Sequence, residues 1–149
     1  MNPHETLFSG FRNAARELKK QSTAIIDEYM PIRPSEWNLH QIASHVRDVN
    51  AEVYLPRLKR IVAEENPTFE DFDADLWMAT HYDAEEWLDD ILADFTAQCE
   101  EAADWLEGLN YDEWDRPGTH PTLGTHSLAW WADRMLTHIE EHLAQIREE

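Results

Sequence analysis

Residues 128–146 read LAWWADRMLTHIEEHLAQI. Within them Leu128, Trp131, Met135, His138, His142 and Ile146 follow one another at steps of 3, 4, 3, 4 and 4. That is the spacing of one inward-facing stripe on a bundle helix, and Ser127 stands where its N-cap belongs. Two stripe positions carry His where Leu or Ile would pack better. Residues four apart on a helix differ by ~40° in direction and ~6 Å in height, so both imidazoles can point at one spot.

The rest of the chain supplies partners for that helix. Residues 5–30 carry Leu7, Phe8, Phe11, Ala15, Leu18, Ala24, Ile25 and Tyr29 at helical spacing, and Pro31 and Pro34 stop the pattern. Residues 36–64 follow as a second helix, with Ser35 as its N-cap and Leu39, Ile42, Val46, Val49, Val53 and Ile61 as its apolar stripe. Pro56 lies inside it and removes one backbone donor, which predicts a kink or local irregularity. Residues 83–109 read as the third long helix, capped by Asp83 and ended by Gly108, with Trp87, Ile91, Phe95, Ala102 and Trp105 recurring along it. Residues 65–82 between them are irregular save for a short helix. Phe69, Phe72, Leu76, Trp77 and Met78 make this segment too apolar for a free linker, so it should lie across the bundle. Residues 110–125, with Pro117, Gly118, Pro121 and Gly124, break the pattern again before the last helix.

The predicted fold is all-α: a four-helix bundle in one domain, residues 1–149, with a long loop between helices 2 and 3 and another before helix 4. Only 4 Gly in 149 residues favours long helices over a sheet of many turns. A formal net charge of −19 repels nucleic acid and anionic lipid, so neither is expected as a partner. Cys99 is the sole cysteine and cannot pair internally; beside Phe95 it reads as a buried structural thiol, and a reducing, cytoplasmic setting is expected. The N-terminus shows no signal-peptide pattern, and no run is long enough to span a bilayer.

The second helix repeats the histidine anomaly. His45 stands three residues after Ile42 and four before Val49, on the apolar face. Glu52, seven residues on, should point almost the same way, and Asp48 lies close to that face. A buried imidazole needs partners for both nitrogens. A divalent cation would take the lone pairs of several at once, leaving a coordination position for water or substrate. Against this stands the plain alternative: an inward His is commonly a satisfied core residue, and an i, i+4 pair can sit at a surface. Two familiar metal motifs do not fit. Ile139 occupies the place of the general-base Glu of the zinc-protease helix. No His has a Glu three residues before it, as di-iron bundles require. The preferred site is mononuclear.

Two segments carry a family resemblance. Residues 37–57, WNLHQIASHVRDVNAEVYLPR, resemble the second-helix signature of the DinB/YfiT-like superfamily, in which a Trp precedes a helix bearing a metal-binding His, an Asp three residues later and an Arg further on. Residues 116–146, RPGTHPTLGTHSLAWWADRMLTHIEEHLAQI, resemble its closing segment: His-Pro, Gly, a Ser/Thr-Leu run, then two His four apart followed by Leu, Gln and Ile. The resemblance implies a four-helix bundle holding one divalent ion, Zn or Ni, on His45, His138 and His142, and a tendency to homodimerise. It also implies an activity class. Some members activate a low-molecular-weight thiol for transfer to an electrophilic small molecule; others isomerise maleylpyruvate.

Three neutral imidazoles leave the charge of an ion uncompensated and favour a thiolate, hydroxide or carboxylate beside them. Between these, the resemblance implies metal-dependent thiol S-transfer as the expected activity, with hydrolysis as the alternative and a non-catalytic metal-binding or dimerisation bundle as the third reading. Glu52 and Asp48 are the candidate proton acceptors or orienting groups, with a structural pairing to Arg47 slightly favoured for Asp48. His120 and His126 flank the last loop and are candidates for the mouth of the site, with solvated loop residues as the plainer reading. His81 is similar, and His4 and His40 are expected at the surface. Of Trp130 and Trp131, one at most faces the core.

Overall fold

The computed structural model describes residues 2–34 and 36–147. Helix α1 spans Glu5–Thr23, α2 Leu39–Val49, α3 Leu55–Ala63, α4 Ala74–His81, α5 Leu88–Glu107 and α6 Leu128–Arg147. A π-helical turn, Asn50–Tyr54, joins α2 to α3 without a break, and a two-stranded hairpin, β1 Pro117–His120 and β2 Gly124–Ser127, precedes α6. α1, the composite α2–α3 rod, α5 and α6 form the four-helix bundle. α1 packs chiefly on α5 and next on α6, while α2 packs on α5.

The amphipathic stripes explain the packing. Phe11, Leu39, Ile42, Ile61, Ile91, Phe95, Leu106, Leu128, Trp131 and Met135 are essentially fully buried in one core. Cys99 lies in it too, and burial pushes its thiol pKa up to about 12, which makes it an inert packing group. Trp131 is the inward member of the Trp pair, its indole Nε1 donating to the Gly118 and His126 carbonyls.

Several boundaries differ from those the periodicity suggests. α1 ends at Thr23 rather than near residue 30, because the Ser22 and Thr23 hydroxyls bond back to the Leu18 and Lys20 carbonyls and the Ala24 and Ile25 N–H groups close into tight turns. Tyr29 is consequently half exposed. α2 begins at Leu39, where Asn38 and Gln41 form a reciprocal capping box; Ser35 lies outside the described residues. α5 begins at Leu88. Asp83 opens a separate turn, accepting from the Glu85 N–H, and Trp87 is left exposed. Gly108 does end α5.

Pro56 leaves its mark one turn upstream. An α-helical ladder would need Pro56 to donate to the Glu52 carbonyl, and it has no N–H. The backbone instead widens, and the Leu55 N–H bonds to the Asn50 carbonyl five residues back.

The two connecting segments lie on the bundle and on each other. Phe69 is buried, its N–H donates to the Thr119 carbonyl at 2.7 Å, and the Thr119 N–H donates to the Pro67 carbonyl at 2.9 Å. Met78 is buried and Trp77 donates to Asp48 Oδ2, while Leu76 faces solvent. The hairpin pairs Pro117 with Ser127 and His120 with Gly124 in antiparallel register. Its turn ends on Gly124 at φ 86, a left-handed conformation that favours Gly. Arg116 donates to the Ile61 and Glu64 carbonyls at the C-terminal end of α3, tying the hairpin to that helix.

Candidate metal centre

α2 and α6 bring three imidazoles together inside the bundle. His45 Nε2 lies 3.2 Å from His138 Nε2. The ring centroids of His45, His138 and His142 are 5.2, 4.8 and 4.7 Å apart pairwise, and one ligand atom from each falls within 4.8 Å of the others. Helical spacing sets two of these positions; the third needs α2 to cross α6 at the level of His45.

All three rings are held neutral at physiological pH. Burial, seconded by His142 and opposed by Asp48, pushes the His45 pKa down to about 4. Burial with His142 and His45 pushes that of His138 down to about 3. Burial lowers that of His142 as well, against the pull of Gln145 and Glu141. Their lone pairs are therefore available. Gln145, one turn beyond His142, accepts from His142 Nδ1–H at 2.8 Å, which directs the Nε2 lone pair inward. The edge of the Trp37 ring closes over His45 at 5.1 Å between centroids.

The residues fit a divalent cation. Two imidazole nitrogens sharing a tetrahedral ion at about 2.0–2.1 Å stand about 3.3 Å apart, close to the 3.2 Å between His45 and His138. The protein makes little other use of the His138 ring: its buried Nδ1 has no hydrogen-bond partner, and its Nε2 meets only another imidazole. Such an arrangement is costly as pure packing.

The two carboxylates singled out with the histidines do not join them. Asp48 is engaged by Arg47 Nε at 2.8 Å and by Trp77 Nε1 at 3.0 Å, in a network that links Arg47 to Glu86 and Asp94. This is the pairing with Arg47 that its sequence position suggested. Glu52 is exposed and, with Pro56, Arg60 and Glu70, lines an adjoining cleft that shares Arg57, Asp71 and Phe72 with the one beside the histidines. Seven residues of α-helix return to nearly the starting direction. The π turn adds a residue per turn, so Glu52 falls short of the site and Tyr54 swings inward instead, its ring 5.5 Å from that of His138.

A cleft of about 290 Å³ opens beside the cluster, with His45 and His138 in its wall. Tyr54, Arg57, His120 and Arg134 supply its polar surface, and Val49, Val53, Phe72 and Leu123 its apolar one. His120 is buried; its Nδ1 accepts from the Thr122 and Leu123 N–H groups, so its proton sits on Nε2, 3.4 Å from Asp71. Of the two histidines flanking the hairpin, His120 thus reaches the cleft, whereas His126 stacks on Trp130 at 3.6 Å. His81 stacks on Trp77 and His4 on Trp114. His40 is not a surface residue. It is fully buried, donating from Nε2 to the Glu86 carbonyl and accepting from the Tyr82 hydroxyl at Nδ1, both at 2.6 Å.

Sequence reasoning missed Tyr54, Arg134, the part played by Arg57 and the bond from Gln145. Gln145 was findable, since three residues after His142 is the same helix face. The tyrosine was not, because its direction depends on the π turn.

A model of the DinB superfamily matches residues 11–146, and the chain belongs to that superfamily. A protein from Oceanobacillus iheyensis named "Putative metal-dependent hydrolase OB0413" is 26% identical over 126 residues, which cover 77% of this chain and 65% of that relative's length. The fold is that of YfiT from Bacillus subtilis, described as "a probable metal-dependent hydrolase with an unusual four-helix bundle topology". The two superpose with a TM-score of 0.87 at 20% identity, over 99% of this chain and 87% of that one. No described helix is long and apolar enough to cross a membrane.

Proposed function

We propose that His45, His138 and His142 hold one divalent ion, Zn or Ni, and that the chain is a metal-dependent transferase moving a low-molecular-weight thiol onto an electrophilic small molecule. The observation that carries this reading is the convergence of three neutral imidazoles beside a cleft. Held by these three neutral ligands, such an ion would supply the positive charge that favours the thiolate form of a thiol bound beside it.

The protein's own groups do the rest. Gln145 fixes the tautomer of His142. Val49, Val53 and Leu123 line the cleft and limit water, while the Tyr54 hydroxyl and His120 Nε2–H are donors that can orient a carbonyl or similar group on the electrophile. Among the described residues no carboxylate is placed as a general base: Asp48 is paired, Glu52 faces away, and the Asp71 side chain is 79% exposed at the rim. That supports a nucleophile made reactive by its ligation alone. Hydrolysis, with water as the nucleophile, is the second reading, and the names of the relatives favour it.

Metal analysis of the purified chain beside a His138→Ala/His142→Ala variant tests the site; about one ion per wild-type chain and none per variant is expected, and equal contents would refute it. Incubating the metal-loaded chain with a chromogenic electrophile, with and without a small thiol, tests the activity. Thiol-dependent conjugate lost on chelation supports transfer. Metal-dependent turnover indifferent to thiol supports hydrolysis, and turnover indifferent to metal would exclude both.

A further inference from the structure

Lys and Arg number 12 against 31 Asp and Glu in this chain, and Arg12, Arg33, Arg47, Lys59 and Arg60 pair with carboxylates. Two that face the cleft do not use them. Among the described residues, neither Arg57 nor Arg134 forms an ion pair with a carboxylate. Arg57 is half-buried. Its guanidinium lies 5.3 Å from the Phe69 ring centroid and 5.7 Å from that of Trp131, and one nitrogen donates to the Glu70 carbonyl at 2.9 Å. Arg134, one turn before His138, lies over Trp130 at 5.7 Å and beside the Tyr54 hydroxyl. Stacking on aromatic faces fixes the plane of a guanidinium while leaving its edge donors free. Burial is working against the Arg57 charge, and the two arginines sense each other's repulsion. The one acid in the same cleft wall, Asp71, is mostly in solvent and forms no ion pair with either arginine, although its charge favours the Arg57 cation.

We infer that Arg57, Arg134 and the Tyr54 hydroxyl form an anion-recognition end of the cleft, and that the small molecule handled there carries a carboxylate. This rests on the reading that the cleft beside the three histidines is a substrate site. Planar guanidinium donors match the two oxygens of a carboxylate. A volume of about 290 Å³ is at the small end for ligand pockets, which suits a metabolite-sized acid rather than a peptide or a nucleotide. The arrangement puts the anionic group at one end and the histidine cluster at the other, so the reacting part of the molecule is turned toward the metal centre.

The test uses chelator-stripped protein, so that no carboxylate can bind through an ion. Succinate is titrated while the Arg Nε–H resonances are followed by NMR, with the uncharged isostere succinamide as control. The expected result is saturable shifts at Arg57 and Arg134 with succinate and none with succinamide. Arg57→Gln should weaken binding about tenfold, as loss of a charge-assisted hydrogen bond does. Arg134→Gln, at a more exposed position, should weaken it about threefold. Asp71→Asn removes an exposed acid and cannot compromise the core; it should tighten binding about twofold, a gain that a damaged fold would not produce. Equal response to succinate and succinamide, or affinity unchanged in both Arg57→Gln and Asp71→Asn, overturns the inference. The same titration in His138→Ala/His142→Ala separates the two proposals. The variant should bind no metal and still recognise succinate; a wild-type chain that takes up no metal yet recognises succinate sinks the metal-dependent function and keeps the anion site. A chain that binds metal and ignores the charge on the probe does the reverse.

Discussion

Replacing His138 by Leu should have opposite effects on the metal-free and metal-loaded protein. In the metal-free chain the buried Nδ1 of His138 has no partner, and its Nε2 meets only His45 at 3.2 Å. An unsatisfied buried polar group costs about 1–3 kcal/mol, whereas the hydrogen bond between the two imidazoles, which Leu cannot make, is worth about 0.5–1.5 kcal/mol. Leu has similar volume and adds buried apolar area, so His138→Leu should stabilise the metal-free chain by a net ~1–2 kcal/mol. For a chain of this length that is a rise in Tm of about 3–6 °C. Wild type should regain the advantage on adding metal. At free Zn a hundred times the Kd, binding only the folded state is worth about 2.7 kcal/mol, or roughly 5–10 °C, and His138→Leu should show almost none of it. Thermal unfolding followed by circular dichroism, with chelator and with Zn, reads all four states. A histidine present for packing or hydrogen bonding predicts the contrary sign: His138→Leu less stable with chelator, and both proteins equally indifferent to Zn. That result would refute the reasoning.

Gln145→Leu should weaken metal binding about 10–100-fold without abolishing it, because it frees the His142 tautomer while leaving every imidazole in place; competition with a chromophoric chelator measures this. The metal-free chain should lose stability as pH falls. The folded pKa values of His45 and His138, about 4 and about 3, lie below the unfolded 6.5 and that of His142 is lowered too, so the unfolded state binds more protons below 6.5. Stability is full above pH 6.5 and declines until the folded values are passed, with at most roughly 2 kcal/mol per group lost between pH 6.5 and 5, as urea unfolding at the two pH values would show. A midpoint that does not move over that interval would contradict the burial of the cluster. Gly118→Ala should destabilise by about 1–3 kcal/mol, since a Cβ there would sit 2.8 Å from the Phe69 ring and 2.9 Å from Ile61; a neutral result in chemical denaturation would mean the hairpin does not press on the bundle.

Much of this was legible in the residues because it follows from period. The stripes on α1, α2, α5 and α6 are the buried faces, and the histidines that interrupt two of those stripes meet in the interior. Capping was less legible. Ser22 and Thr23 end α1 through local hydroxyl bonds that compete with a continuing apolar pattern, and Asp83 turns the chain five residues before α5 begins. The hairpin escaped notice because its four-residue strands are held by the 65–73 segment and Trp131, not by an alternating pattern of their own.

By itself the sequence determined what local stereochemistry controls: which faces are apolar, where histidines replace aliphatic residues, and that His138 and His142 share one face. The tertiary structure alone decided what depends on the relation between elements. It placed His45 against the other two imidazoles and laid the hairpin and α4 around the cleft. It also exchanged Glu52 for Tyr54 through a single π turn. A one-residue change of helical register redirects every side chain beyond it, and no side-chain period announces that change in advance.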